Sequence, residues 1–326
     1  MDSLPIDMNH PAVRDYLALV RLQVLTPLSL LINIASVAIC IALVNPSMRI
    51  ISKLHPTSIS PQPSVIFAYV AVMYLGQIGH CVLLILARKP ETKSALIKGV
   101  GPSLVFANWL MALWAIAWVF EWFIAATVLA GLLLIFLLYS NTVLLIYHAP
   151  TRSRPFDTAL IHAPLRFFCV IQFALVLPLT LFIALGLTYT PMYNGTPIDY
   201  NAHRWSGLGV VLGTNLVSLL VIVLRRDIVW CIAATWICIS IWSLRPKPQT
   251  VYLTTIVFTA IHPLALVAAY VHAYFYARSA VDGPDSTANG RGAVALPGDD
   301  SEHPGLHRES QVRGPREVDV EEVWGD

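Results

Sequence analysis

The polar residues that could do chemistry in this sequence lie inside long apolar runs. Asn33 and His80 each belong to a stripe of side chains with the three- and four-residue spacing of one helix face. Polar groups are costly in lipid and usually face protein or a water-filled cavity, so both are candidate substrate-binding residues of a carrier. Hydrogen bonding between packed helices is the alternative explanation. The first stripe comprises Ser29, Asn33, Ser36 and Cys40.

A second candidate site combines a carboxylic acid with aromatic rings. Glu121 follows an apolar run that contains three tryptophans, Trp109, Trp114 and Trp118. Burial raises the proton affinity of a carboxyl group, which could then protonate a polyene, and aromatic faces would stabilise the resulting carbocation. Glu121 is therefore the candidate catalytic acid of a membrane enzyme such as a terpene cyclase, with the tryptophans as candidate substrate-binding residues. An aromatic belt at the membrane interface explains the same tryptophans without a cavity.

Metal and cofactor chemistry has no signature in the sequence. There is no metalloprotease, serine-hydrolase, phosphate-loop or dinucleotide-binding motif. The five cysteines lie within apolar runs and lack the spacing of metal ligands. We therefore predict neither a metal nor a cofactor. The absence of these motifs makes an enzymatic function less expected but does not exclude it.

Two charged positions lie at the edges of apolar runs. Asp227 follows Arg225 and Arg226, which predicts a local salt link at the start of a helix. Arg166 lies near the start of another run, and its long side chain is expected to reach the membrane surface.

The composition is that of an all-α, polytopic membrane protein. Of 326 residues, 56% are hydrophobic and only 12% are charged, more apolar surface than a soluble core can bury. Eight runs have the roughly 17–25 residues that cross a bilayer. A count of seven is the alternative, because the third and fourth runs are barely separated and the seventh is short. The predicted spans are 22–44, 64–87, 102–120, 123–147, 165–187, 207–224, 228–244 and 250–277.

The chain divides into a short cytoplasmic segment, 1–21, the helical bundle, 22–278, and an acidic tail, 279–326. The tail is rich in Gly, Pro, Ser, Asp and Glu, so we expect it to be disordered. Lys and Arg are more frequent in the loops that share a side with the N-terminus, which predicts that both ends are cytoplasmic. The sequence Asn-Gly-Thr at Asn194 would then be a glycosylation site in an outer loop.

Two features point to partners besides the lipid bilayer. Residues 317–326 mix apolar side chains with acids, as short cytoplasmic docking peptides do, although a solubilising tail has the same composition. Gly209 and Gly213 form a GxxxG pattern that allows close approach of a helix, within the chain or in a homo-oligomer. Nothing in the charge pattern implies nucleic-acid binding.

The stretch from Pro102 to Tyr139, with its asparagine and tryptophan-rich helix, and the segment IHAPLR at 161–166 carry a family resemblance. The chain resembles a family of fungal multi-pass membrane proteins catalogued as a domain of unknown function. The resemblance covers residues 20–275 and implies a fungal source and an all-helical bundle. It transfers no functional residue.

The sequence thus predicts a multi-pass protein of an endomembrane or the plasma membrane that acts in transport, membrane organisation or partner binding. The alternative is a membrane enzyme on an isoprenoid-type substrate. The enzyme hypothesis requires Glu121 to be buried beside the tryptophans. The carrier hypothesis requires a polar path that connects His80 to both surfaces.

Overall fold

The fold follows the apolar runs, each of which becomes a helix. The computed structural model describes residues 11–148, 155–189 and 198–281, with side chains for 13–148, 155–189 and 198–276. In this part of the chain every regular element is helical, so the predicted all-α bundle is confirmed. The helices are α1 (Pro11–Ala42), α2 (Met48–Leu54), α3 (Pro63–Leu86), α4 (Pro90–Val119), α5 (Phe123–Tyr147), α6 (Pro155–Ala184), α7 (Arg204–Arg225), α8 (Ile228–Trp242) and α9 (Gln249–Val281).

Seven of these helices are long and apolar enough to cross a membrane, and α8 is the exception. With 15 residues α8 is about 22 Å long at 1.5 Å per residue, less than the roughly 30 Å of a hydrocarbon core. It nevertheless lies inside the bundle, where it contacts α3, α6 and α7. The predicted seventh span is therefore a helix shorter than the other seven spans.

Helices α4 and α6 form the centre of the bundle. About two thirds of the most apolar window is buried in each, 67% in α4 and 61% in α6, against 22–33% in the other five long helices. Helix α4 packs mainly on α1 and α5, and α6 packs on α3, α5 and α8. The outer helices expose their remaining apolar side chains to lipid, as a membrane bundle requires.

Both central helices contain π-helical stretches, and each stretch ends two residues before a proline. Val100 precedes Pro102 in this way, His162 precedes Pro164, and Val176 precedes Pro178. A proline cannot donate to the carbonyl four residues earlier and clashes with it, so one extra residue in the turn relieves the conflict. The stretches are Ala95–Val100, Thr158–His162 and Gln172–Val176.

The end of the first stretch also requires a glycine. Gly101 has φ +46°, in the left-handed region where other residues are strained.

The chain forms two compact units, residues 1–275 and residues 276–326, and most of the second lies outside the described residues. Three sequence predictions also fall outside them: glycosylation at Asn194, disorder of the acidic tail, and docking through residues 317–326.

Candidate functional site

A pair of buried asparagines lies near the middle of the bundle. Asn33 of α1 donates its side-chain amide to Oδ1 of Asn108 on α4 over 2.8 Å, and the Tyr74 hydroxyl of α3 donates to Oδ1 of Asn33 over 3.0 Å. Both asparagines are fully buried. Tyr74 is the twelfth of the 24 residues of α3, so this junction of three helices lies about halfway across the bundle.

Unpaired polar atoms extend this junction along α4 to α6. Asn108 Nδ2 has no hydrogen-bond partner, and neither has Nε1 of Trp114, six residues further along α4. Between them, Met111 accepts a 3.4 Å hydrogen bond at its sulfur from Nε2 of Gln172, at the start of the last π-helical stretch. Oε1 of Gln172 is buried without a partner. Asn108 and Trp114 of α4 thus each keep a free donor, and Gln172 of α6 keeps a free acceptor.

Gln77 extends the junction in the other direction. It lies one helical turn from Tyr74 on α3, it is buried, and neither its oxygen nor its nitrogen has a partner. We call Asn33, Tyr74, Gln77, Asn108 and Gln172 the central polar cluster.

Burial of such a cluster costs free energy unless water or a ligand completes its hydrogen bonds. A buried polar group without a partner costs about 1–3 kcal/mol. Native proteins rarely leave several together, and water or a ligand usually accounts for those that occur. The sequence stripe identified Asn33, but nothing in the sequence singled out Gln172, because a single amide in a helix has no periodicity of its own.

His80 lies one turn beyond Gln77 and is enclosed. Its Nδ1 lies 3.0 Å from the carbonyl oxygen of Leu160 in the second π-helical stretch, and the side chain is buried. This placement explains why the histidine is accommodated in an apolar run. A polar path from His80 to the surfaces is not evident from these contacts, and the substrate role of His80 stays a prediction.

The tryptophans and Glu121 are not gathered around one cavity. Trp109 is 42% exposed and points away from the core, whereas Trp114 and Trp118 are buried with ring centroids 5.4 Å apart. The Glu121 side chain is 46% exposed in the turn between α4 and α5, with its Oε2 3.8 Å from Nε2 of His55. The geometry therefore does not supply the buried acid of the cyclase hypothesis, and the catalytic role of Glu121 stays a prediction from sequence.

Comparison with known proteins identifies the family. A model of a family described as TSPO-like protein matches residues 22–272, a range that begins within α1 and ends within α9. The chain belongs to the TSPO-like protein family. No curated protein and no solved structure matches it. Family membership and the long apolar helices make this TSPO-like chain a multi-pass membrane protein, and the predicted fungal source stays a prediction.

The TSPO-like chain also carries an ion pair inside its bundle. Nη1 of Arg166 on α6 lies 2.8 Å from Oδ2 of Asp227, and the two side chains are only 6% and 4% exposed. Oδ1 of Asp227 accepts from the Trp230 amide and so caps α8. The sequence predictions of a local salt link for Asp227 and of a surface position for Arg166 were wrong. Helical periodicity describes neighbours along one helix, whereas this pair joins two helices.

Metal binding has no geometric support in the described part of the TSPO-like chain. No group of three or more His, Cys, Asp or Glu side chains could hold an ion there. The five cysteines are buried and unpaired by disulfides, as small apolar side chains would be.

Proposed function

We propose that this TSPO-like protein binds an uncharged lipophilic small molecule at the central polar cluster and carries it within the membrane. The observation that supports the proposal most is the set of unpaired polar atoms halfway across the bundle, on Gln77, Asn108 and Gln172. Their unsatisfied hydrogen bonds would be completed by a polar group of the ligand.

The chemistry of the cluster favours an uncharged ligand. Its members are amides and one phenol, which carry no charge in the bundle. The buried charges of Arg166 on α6 and of Asp227, the N-cap of α8, neutralise each other. A hydroxyl or carbonyl on an apolar skeleton would accept from Asn108 Nδ2 or Trp114 Nε1, and a hydroxyl would also donate to Gln172 Oε1.

Carriage requires that helices separate to admit the ligand, and both central helices depart from regular α-helical geometry. Both α4 and α6 are interrupted by π-helical stretches, and Gln172 of the cluster is itself the first residue of one. Irregular helical turns of this kind are frequent at functional sites. Transport is therefore favoured over a purely structural role for α4 and α6.

Substitution of Gln77 tests the proposal, because ligand binding and stability should change in opposite directions. The protein would be purified from its host membrane, and its organic-soluble contents identified by mass spectrometry for the wild type and Gln77→Met. We expect a compound that co-purifies with the wild type to be lost from Gln77→Met. The stripped variant should unfold at a higher temperature, because it no longer buries an unpaired amide.

Thr180→Val is the matched control. Thr180 is a fully buried polar residue of α6 whose hydroxyl donates to carbonyls of its own helix, so its one donor proton is already used. This variant should keep the compound. Retention of the compound by Gln77→Met at the wild-type ratio would contradict the proposed site.

A further inference from the structure

The turn between α4 and α5 holds Glu121 in an unusual backbone conformation. The Trp122 amide donates to the Ala117 carbonyl over 2.9 Å and the Glu121 amide donates to the Trp118 carbonyl over 3.1 Å, the two hydrogen bonds of a Schellman motif. Glu121 occupies the left-handed position of that motif, with φ +58°, where glycine is the favoured residue. The chain therefore fixes a carboxylate in a position that favours a residue without a side chain.

Glu121 lies at a groove in the surface of the bundle. The groove is lined by the turn and the first residues of α5 and, from the end of α6, by Ile183 and Ala184. Trp122 also lines it, is 62% exposed, and stacks on Phe120 with ring centroids 5.3 Å apart. The groove is thus apolar except for one carboxylate, and an exposed indole ring lies beside that carboxylate.

The carboxylate is open to a further partner. The 3.8 Å between Glu121 Oε2 and His55 Nε2 is longer than a hydrogen bond. In the described part of the chain, neither a lysine nor an arginine forms a salt bridge with Glu121. A cation that entered the groove would therefore not have to displace a lysine or an arginine of the described chain.

The level of the groove in the membrane indicates which molecules could supply such a cation. The turn joins two membrane-spanning helices, which places Glu121 and Trp122 at the level of the lipid headgroups. A carboxylate beside an exposed aromatic face is the combination that recognises quaternary ammonium groups. Ile183 and Ala184 provide an apolar surface for the start of an acyl chain.

We infer that the groove at Glu121 and Trp122 binds the quaternary ammonium headgroup of a phosphatidylcholine molecule. The carboxylate of Glu121 attracts the trimethylammonium group, and the indole ring of Trp122 packs against it. This site is separate from the central polar cluster and does not depend on the proposed carrier function.

Native mass spectrometry of the full chain tests the inference. The protein would be released from mixed vesicles of phosphatidylcholine, phosphatidylethanolamine and phosphatidylglycerol with identical acyl chains. We expect the wild type to retain phosphatidylcholine about tenfold more than phosphatidylglycerol, the size of effect of one cation–π contact with an ion pair. Retention of phosphatidylglycerol or phosphatidylethanolamine at the level of phosphatidylcholine would overturn the inference.

Two substitutions at Glu121 separate lipid binding from folding. Glu121→Gln should abolish the preference for phosphatidylcholine, because it removes the charge and keeps the size. Glu121→Gly should abolish it too, yet raise the unfolding temperature, because glycine suits the left-handed position.

Asp199→Asn is the control for these variants. It neutralises another acid, which lies on the same side of the membrane as Glu121 in the predicted topology. This variant should keep the preference for phosphatidylcholine. A preference that survives both Glu121→Gln and Glu121→Gly would show that the carboxylate does not hold the lipid.

Discussion

At the scale of single residues, the buried ion pair of Arg166 and Asp227 is expected to be sensitive to substitution. Taking two charges out of water is costly, and each charge is tolerated because the other neutralises it. Removal of one partner leaves the other buried and unpaired. Arg166 and Asp227 are therefore both expected to be needed for folding, whatever ligand the bundle binds.

Asp227→Asn should lower the free energy of unfolding by about 3–5 kcal/mol, the usual cost of one unpaired buried charge. Asparagine can still cap α8 through the Trp230 amide, so the loss reports the charge rather than the cap. Thermal unfolding in detergent would measure it. The double variant Arg166→Met, Asp227→Asn should be more stable than Asp227→Asn alone, and the opposite order would contradict this explanation.

Lys247, outside the spanning helices, makes stability depend on pH. Burial lowers the pKa of its ammonium group from 10.5 to about 7, while Nζ donates to the carbonyls of Ser58 over 3.2 Å and Ser60 over 2.7 Å. Between these two pKa values the unfolded chain binds the proton and the folded chain does not, so stability rises with pH. Below about pH 7 both states are protonated and this dependence vanishes.

We therefore expect the unfolding temperature of the wild type to rise between pH 7 and pH 9.5 by more than that of Lys247→Met. Thermal unfolding at the two pH values measures the difference. Lys53→Met, which changes an exposed lysine of α2, should keep the wild-type rise. An equal rise in Lys247→Met and the wild type would assign the pH dependence to other groups.

The sequence revealed some of these residues and missed others for a physical reason. Helical spacing placed Asn33 on a buried face, because burial repeats along one helix. The partner of Asn33 is Asn108, 75 residues away, and spacing within a helix carries no information about that distance. Trp109 illustrates the opposite error: it shares a run with Trp114, yet its side chain faces outward.

At the scale of helices, α7 has a face that the rest of the described chain leaves open. A side-chain carbon added at Gly209 or at Gly213 would meet no atom within 4 Å. In the same helix, a carbon added at Gly207 would lie 2.4 Å from the Ser58 hydroxyl oxygen, so only that glycine is needed for packing within the chain. The GxxxG pattern is therefore available to a helix of another molecule.

If Gly209 and Gly213 mediate a homo-oligomer, Gly213→Leu should shift the protein toward the monomer without lowering its unfolding temperature. Size-exclusion chromatography with light scattering in detergent would measure the mass. Gly131→Leu, at a position in α5 that also meets no atom within 4 Å, is the control and should leave the mass unchanged. A monomeric wild type would contradict the prediction.

The helices themselves were the most predictable part of the fold. Lipid demands long apolar helices, and seven of the eight predicted spans correspond to such helices. The prolines at 102, 164 and 178 were visible too, but a kink and a π-helical turn are alternative responses to a proline. The choice depends on packing, which places all three in the two most buried helices.

At the scale of the whole molecule, the bundle separates two environments. Helices α4 and α6 carry Asn108 and Gln172 in the interior, while the less buried long helices contact lipid. A molecule that reached the central polar cluster would pass from lipid into a shell of neutral hydrogen-bonding groups. The two proposed sites would thus bind different chemical groups. The central polar cluster would bind an uncharged polar group, and the Glu121 groove would bind a cation.

The π-helical turns have a consequence for comparisons between relatives. Each one holds an extra residue, and adding a residue to a helix rotates everything beyond it by about 100°. A relative that lacks the proline at 178 is expected to lack one residue between 172 and 176 as well, so that Arg166 and the end of α6 keep their directions. An alignment of this family should therefore accept single-residue gaps inside spans, two residues before a proline, and treat the proline and the inserted residue as one inherited unit.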